Sequence, residues 1–340
     1  MLFIRRHIPL PFRRRTLLLL VTSVFAWFFG VFDHLFEKSF DDFRWPPYGV
    51  DVAEETVRAV SAGSAGSLKA PVENDLRSFR RIVEPECEGR NGTHRLLILV
   101  KSSIYNELQR DAIRKTWGSH TDSARVVFVV GLEAEESWAT IKPAFIKELR
   151  THGDVLHVDV LDTYRNNTLK FFHSISYAFK PDHGCPVPDF LFLVDDDYMV
   201  HVNMLLRYVA GKNASQHLYE GWRFDTSPFR FRLHKHAVPL KKYPFDRYPP
   251  YISAGAVLLS RKTVTYFYYA MQLVKLYSFD DIYAGILAYL LRIPPTHNKA
   301  FVFWSRSISA EEWQAGEVLA AHGYPYDRLF DEYSTISGVK

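Results

Sequence analysis

Cysteine is nearly missing from this chain: 340 residues hold only two, Cys87 and Cys185. A fold stapled by many disulfides is excluded, which leaves one bridge between them in an oxidising compartment or two separate buried thiols. Excess charge is scarce as well. The formal net charge is +4, and Arg5, Arg6, Arg13, Arg14 and Arg15 account for it, so the rest of the chain sits near about −1. No basic face and no aromatic and basic repeat remains to grip nucleic acid. There is no internal repeat and no domain-sized linker after residue 95, so one large domain fits the remaining length.

What is present begins with apolar content, 47% hydrophobic, enough for a sizeable core. Thr16 to Phe32, TLLLLVTSVFAWFFGVF, carries no charge and reaches about 26 Å as a helix, close to the hydrocarbon thickness of a bilayer. A cleaved secretory signal is the competing reading, but it needs a shorter apolar stretch and small residues at a cleavage site. Phe25, Trp27, Phe28, Phe29 and Phe32 crowd that end instead. The arginines before the run and Asp33, Glu37, Asp41 and Asp42 after it place the N-terminus in the cytoplasm and the bulk of the chain in the lumen. Sequons at Asn91, Asn166 and Asn213 agree with that side. The expected organisation is a cytoplasmic tail (1–15), a signal anchor (16–32), a stem (33–94) and a folded domain (95–340). The stem is read as a tether because of its SAGSAGS stretch.

From Leu96 onward, strand and helix signals alternate: LLILV, VVFVV, a helix carrying Trp138, Ile141, Phe145 and Leu149 on one face, DVLHVDVLD, a helix with Leu169, Phe172, Ser176 and Phe179, then FLFLV. This predicts an α/β domain with a mainly parallel sheet. The second half reads as a Pro and aromatic-rich loop from Tyr219 to Tyr251, then helices near Lys262–Leu276 and Asp281–Leu291.

FLFLV runs straight into Asp195, Asp196 and Asp197. Ligands of such sheets bind beyond the carboxyl ends of the strands, and three adjacent carboxylates repel one another unless a cation or hydrogen bonds offset the charge. An Asp-x-Asp there suits Mg²⁺ or Mn²⁺ shared with a substrate's phosphate oxygens. The bland reading is an acidic loop capping strand and helix ends. Dehalogenase-like phosphotransferases also open on a strand followed by Asp-x-Asp, but they have Thr or Val where this chain has Met199. Arg110 and Arg114, one helical turn apart, suit a phosphate or solvent equally well. Lys170 follows a strand-to-helix turn whose amides can face an anion.

RDAIRKTWG, DTYRNNTLK, FLFLVDDDYMVHVNML, YPFDRYPPYISAGAVLLS and FDDIYAG occur in one order over about residues 95 to 305. Together they resemble the β-1,3-glycosyltransferase family of Golgi enzymes, the β-1,3-galactosyltransferases and β-1,3-N-acetylglucosaminyltransferases. The resemblance implies a GT-A fold, a UDP-sugar donor, Mn²⁺, a glycan acceptor on glycoprotein or glycolipid, and a single-pass type II Golgi membrane protein. It implies Asp281 as general base, Asp197 as metal ligand with His297 near the metal, Asp195 and Asp196 near the ribose and donor sugar, and Arg110, Arg114 and Lys170 lining the donor side. His297 is equally well a structural histidine. The family's paired glycines become Ser253-Ala254-Gly255-Ala256, Asp280 replaces Glu, and a cysteine after the base motif is missing. Those departures bear on donor identity more than on catalysis. A non-catalytic subunit or chaperone for another transferase is the rival function, and a homodimer is left open.

Overall fold

The computed structural model describes residues 10–74, 76, 79–85, 95–119, 123–133, 135–179 and 187–337. Cys87, Cys185 and Asn91 lie outside the described residues. The chain divides into two compact units, residues 1–44 with 225–249, and residues 45–224 with 250–340.

The smaller unit contains α1 (Leu10–Phe28) and α2 (Val31–Leu35). The uncharged run breaks at Gly30, which has φ of 73°, a left-handed conformation that glycine adopts without steric cost. A Cβ there would come within 2.4 Å of Arg230 Cβ. Arg230 is buried and anchors the unit: its guanidinium donates to Glu37 at 2.6 Å and to the carbonyls of Val238, Tyr243 and Phe245. Because the helix stops at Phe28, no helix among the described residues is long and apolar enough to cross a membrane.

The larger unit contains α3 (Val52–Ala62), β1 (Arg81–Val83), β2 (Leu96–Lys101), α4 (Glu107–Lys115), β3 (Ala124–Leu132), α5 (Glu135–His152), β4 (Val155–Leu161), α6 (Asn167–Phe179), β5 (Phe190–Asp195), β6 (Tyr198–Val200) and α7 (Val202–Ala210). After these come β7 (Tyr219–Phe224), β8 (Tyr251–Ser260), α8 (Arg261–Leu273), α9 (Asp280–Leu290), β9 (Thr296–His297), β10 (Phe301–Val302), α10 (Ala310–Ala315), β11 (Ala320–His322) and α11 (Tyr326–Ser337).

The main sheet has eight strands in the order β1-β4-β3-β2-β5-β8-β7-β9. β4, β3, β2 and β5 are parallel, as the alternating signals predicted, whereas β1 pairs antiparallel with β4, β8 pairs antiparallel with β5 and β7, and β9 runs parallel to β7. The sheet is therefore mixed. β2 and β5 are buried on both faces: Leu96, Ile98, Val100, Phe190, Phe192 and Val194 pack in one cluster with α4, α7 and α11. Leu97, Leu99, Leu191 and Leu193 are buried on the opposite face. That double burial is why both strands read as unbroken apolar runs.

The segment read as a tether is folded. Asp51 caps α3 through the amides of Ala53 and Glu54, and Gly63 ends it at φ of 63°. Val52, Ala53, Thr56 and Ala59 are buried, α3 packs on α8, and Asn74 donates to the carbonyls of Met271 and Val274 at the end of α8.

α4 is tied to the interior by ions. Arg110 is fully buried and donates to both Glu148 oxygens at 2.7 Å, while Arg114 reaches Glu148 and Asp154 at 2.8 Å. Removing the shared carboxylate strands a buried guanidinium, so Glu148→Ala is expected to cost about 3–5 kcal/mol. A fall in the urea midpoint with an unchanged m-value is the measurement that checks it.

Candidate active site

β2 and β5 end side by side, with Lys101 opposite Asp195. LLILVK and FLFLVD share one design, an apolar strand whose last residue is charged. Alternation sends Lys101 and Asp195 to the face that carries α9, where Lys101 Nζ lies 2.9 Å from Asp195 and 2.7 Å from Asp280. Asp196 turns the other way, accepting from Ser102 Oγ at 2.7 Å and Asn106 Nδ2 at 2.9 Å. Asp197 turns outward, its carboxylate 3.0 Å from His322 Nε2, and its carbonyl accepts from the amides of Gly323 and Tyr324. Three adjacent carboxylates are thus given three different partners.

One lysine shared by two carboxylates leaves the cluster short of positive charge. Burial works against the charge on Lys101, but Asp195 and Asp280 outweigh it and hold its pKa above the ordinary lysine range. Asp195 is pushed up to about 6 by burial, with Asp280 adding repulsion against the pull of Lys101. Asp281, in the first turn of α9, is pushed up to about 7 by burial and then by Asp280. Tyr164 is pushed up to about 12, by burial first and then by Asp281 and Asp280, which puts its hydroxyl in the field of that pair. A carboxylate beside a neighbouring negative charge and near neutrality is what a general base requires.

The three cations expected on the donor side are used elsewhere. Arg110 and Arg114 hold Glu148 and Asp154, and Arg110 also donates to Ser102 Oγ at 3.0 Å and to the Ser103 carbonyl at 2.5 Å. Lys170 is buried, with its Nζ 2.6 Å from Asp162 and 3.0 Å from the Ser102 carbonyl. Burial lowers its pKa despite Asp162. Asp162 in turn accepts from the amide of Ile104. Instead of presenting open N–H groups to a phosphate, Arg110 and Lys170 converge on the 102–104 loop that holds Asp196.

His297 is also displaced from its expected role. It lies in β9, where its Nδ1 accepts from the Arg223 amide at 3.2 Å and its ring meets Trp222 edge-on at 4.6 Å. Three strand spacings, on the order of 14 Å, separate β9 from β5. His322 occupies the place beside Asp197, and hydrogen bonding to that carboxylate raises its pKa. Its signal was in the sequence: Val318 to Ala321 is another apolar run ending in a ligand-type residue. Among the described residues no group of three acidic, His or Cys side chains could hold a metal. Asp197 and His322 form a pair, a donor set that suits a hard divalent ion whose other sites go to phosphate oxygens and water.

Other expectations resolve locally. Gly255 is fixed by Tyr198, whose hydroxyl would lie 2.2 Å from an added Cβ. Asn166 is half-buried and donates to the Leu161 carbonyl, and the Thr168 hydroxyl of its sequon is buried against the Tyr277 carbonyl. Asn213 is exposed in the turn after α7.

Among known protein families, the model described as "Galactosyltransferase" matches residues 108–299. The chain is 38% identical over 342 residues to a β-1,3-galactosyltransferase, bre-5, of Caenorhabditis elegans, covering 99% of this chain and 97% of that protein. It is 32% identical to the β-1,3-galactosyltransferase brn of Drosophila melanogaster, over 91% of each chain. It is 31% identical to the human UDP-GalNAc:β-1,3-N-acetylgalactosaminyltransferase 1, over 67% of this chain and 70% of that one. A solved galactosyltransferase, LgtC, aligns at 10% identity with a TM-score of 0.36 over 72% of this chain and 97% of that one, a likeness too loose to bear on the fold.

Lys101→Met leaves Asp195 and Asp280 facing each other without their cation. A loss of at least about 100-fold in kcat/KM is expected, together with a lower Tm. Steady-state kinetics and thermal melts on the same preparation measure both.

Proposed function

Because this chain belongs to the β-1,3-glycosyltransferase family that includes the galactosyltransferases, we propose how its site performs β-1,3 hexosyl transfer, from a UDP-sugar to a glycan acceptor. The sugar moved is galactose or an N-acetylhexosamine, and the reaction inverts the anomeric carbon within a GT-A fold. The observation that carries this reading is Asp281, a carboxylate raised to about 7 that lies next to Asp280, the residue linked through Lys101 to Asp195 at the end of β5.

Asp281 takes the proton from the acceptor hydroxyl as that oxygen attacks the anomeric carbon opposite the departing UDP. Asp195 and Asp196 face the ribose and donor sugar. Asp196 is held rigid by Ser102 and Asn106, and Asp195 by Lys101. Asp197 and His322 would hold a divalent cation, Mn²⁺ in this reading, which when bound neutralises charge building on the leaving diphosphate. A non-catalytic subunit is disfavoured, since both acidic motifs are intact and partnered. For placement, the uncharged run from Thr16 to Phe32 serves as the anchor of a type II Golgi protein. Its side chains from Leu17 to Leu20 and at Phe25 are more than half exposed, and the arginines precede it.

Asp281→Asn should lower kcat by about 100-fold or more while UDP affinity changes little. The wild-type kcat/KM should rise with pH through about 7 and level off above it, because the base is inactive when protonated and active when ionised. Retained turnover in Asp281→Asn would remove that residue from the role.

Calorimetric titration of UDP should show binding that depends on Mn²⁺ and is lost with chelator. His322→Ala should weaken the metal-dependent part by about 10- to 100-fold, and His297→Ala should leave it unchanged. The reverse pattern would restore His297 as the ligand.

A further inference from the structure

The sheet order β5-β8-β7-β9 lays out the site in sequence. The donor carboxylates stand at the end of β5. Asp281 lies on α9, which packs on β8. One helical turn after Asp281, Gly285 abuts Tyr251 at the start of β8, where an added Cβ would lie 2.6 Å from Tyr251 Cβ. From Tyr251 an unbroken run of aromatic rings crosses to β7 and on to Phe303 and Trp304, which follow β10. Phe224 lies 5.7 Å from Tyr251, Phe303 4.8 Å from Phe224, Trp222 5.2 Å from Phe303, and Trp304 4.7 Å from Trp222 at 85°.

This strip differs from core packing at its outer end. Trp304 is 41% exposed, and Trp222, Phe224 and Phe303 are only half-buried. His297 lies against Trp222 at 4.6 Å, and Arg223 beside it is exposed. Flat apolar faces flanked by a few polar groups are the composition of a ligand subsite. They match the chemistry of a pyranose, which has one face rich in C–H bonds and a rim of hydroxyls.

We propose that Trp222 and Trp304 form the platform on which a sugar ring of the acceptor glycan stacks, with His297 at its rim. The inference rests on the transferase reading of Asp281. An inverting attack requires the acceptor to approach from the side of the sugar carbon away from UDP. The strip begins at Tyr251, which Gly285 meets one turn after Asp281, and its outer end follows β10, whose partner β11 carries His322, so an acceptor ring on it lies within reach of the base. His297, expected near the metal, becomes an acceptor-side residue. An apolar peptide fits the strip less well, since its outer end is bordered by His297 and Arg223 and not by further aliphatic surface.

Trp304 is the residue to test, because its exposure lets it be truncated without opening a core cavity. The full chain is assayed with UDP-galactose and UDP-N-acetylgalactosamine against a panel of methyl β-glycosides and β-linked disaccharides, and the best wild-type pair is kept. Trp304→Ala should raise the acceptor KM by at least about tenfold, with kcat and the donor KM moving little. Trp304→Tyr, which keeps a stacking face, should recover part of the loss. An unchanged acceptor KM in a folded Trp304→Ala, or a donor KM that rises as much as the acceptor's, overturns the platform and leaves the transferase reading standing. A wild-type chain that binds UDP-galactose yet transfers to no acceptor overturns the transferase reading, and the platform with it.

Discussion

The site depends on one buried cation placed between two carboxylates. Lys101 closes β2, Asp195 closes β5, and Asp280 begins α9, so a single ammonium joins the two central strands to the helix that carries Asp281. Such a cluster is costly to bury, and an apolar replacement of similar size would pack with less penalty. Its use is in position. Adjacent parallel strands fix Lys101 opposite Asp195, and the lysine then fixes the start of α9, so Asp195 and Asp281 keep a constant relation. Burial raises the pKa values of Asp195 and Asp281, and the deficit left by one positive charge among Asp195, Asp280 and Asp281 adds to it.

A second layer of ions supports the first. Arg110, Glu148, Arg114 and Asp154 link α4, α5 and the start of β4, while Lys170 and Asp162 link α6 to the end of β4. Both systems deliver donors to the 102–104 loop, through Arg110 to Ser102 and Ser103 and through Lys170 to the Ser102 carbonyl. Ser102 then donates to Asp196. Cations that read as phosphate ligands in the sequence therefore act on Asp196 indirectly, through the loop that holds it.

The sequence revealed elements whose signal is carried by large side chains in a regular period. β2 and β5 are apolar up to their last residue because both their faces are covered, and the acidic residues follow β5 directly, so strand and site were legible together. β7 and β8 were not. YEGWRF and YISAGAVLLS contain Gly, Ser and Ala where a strand pattern calls for branched residues, and Gly255 is required by Tyr198 packing across it. α3 was missed for a similar reason, since its buried face is Val52, Ala53, Thr56 and Ala59, too small to stand out. Pairing was the least legible property. Nothing local to Arg110 indicates that its partner is Glu148, or that the imidazole beside Asp197 is His322 and not His297.

Asp280 and Asp281 show how neighbouring identical residues acquire different chemistry. Successive positions on a helix point about 100° apart, so when Asp280 is turned toward Lys101, Asp281 is turned away from it. Asp280 is 12% exposed and held at 2.7 Å by its cation. The Asp281 carboxylate accepts only from the adjacent Ile282 amide at 2.7 Å among the hydrogen bonds of the described residues. The first is a fastening and the second is left able to take a proton. The aspartate at 280 also makes sense of the departure from the family's glutamate. Lys101 is fixed by its strand, so a side chain longer by one methylene could keep the same contact only by folding back or by moving α9 outward, and either change would shift Asp281 with it.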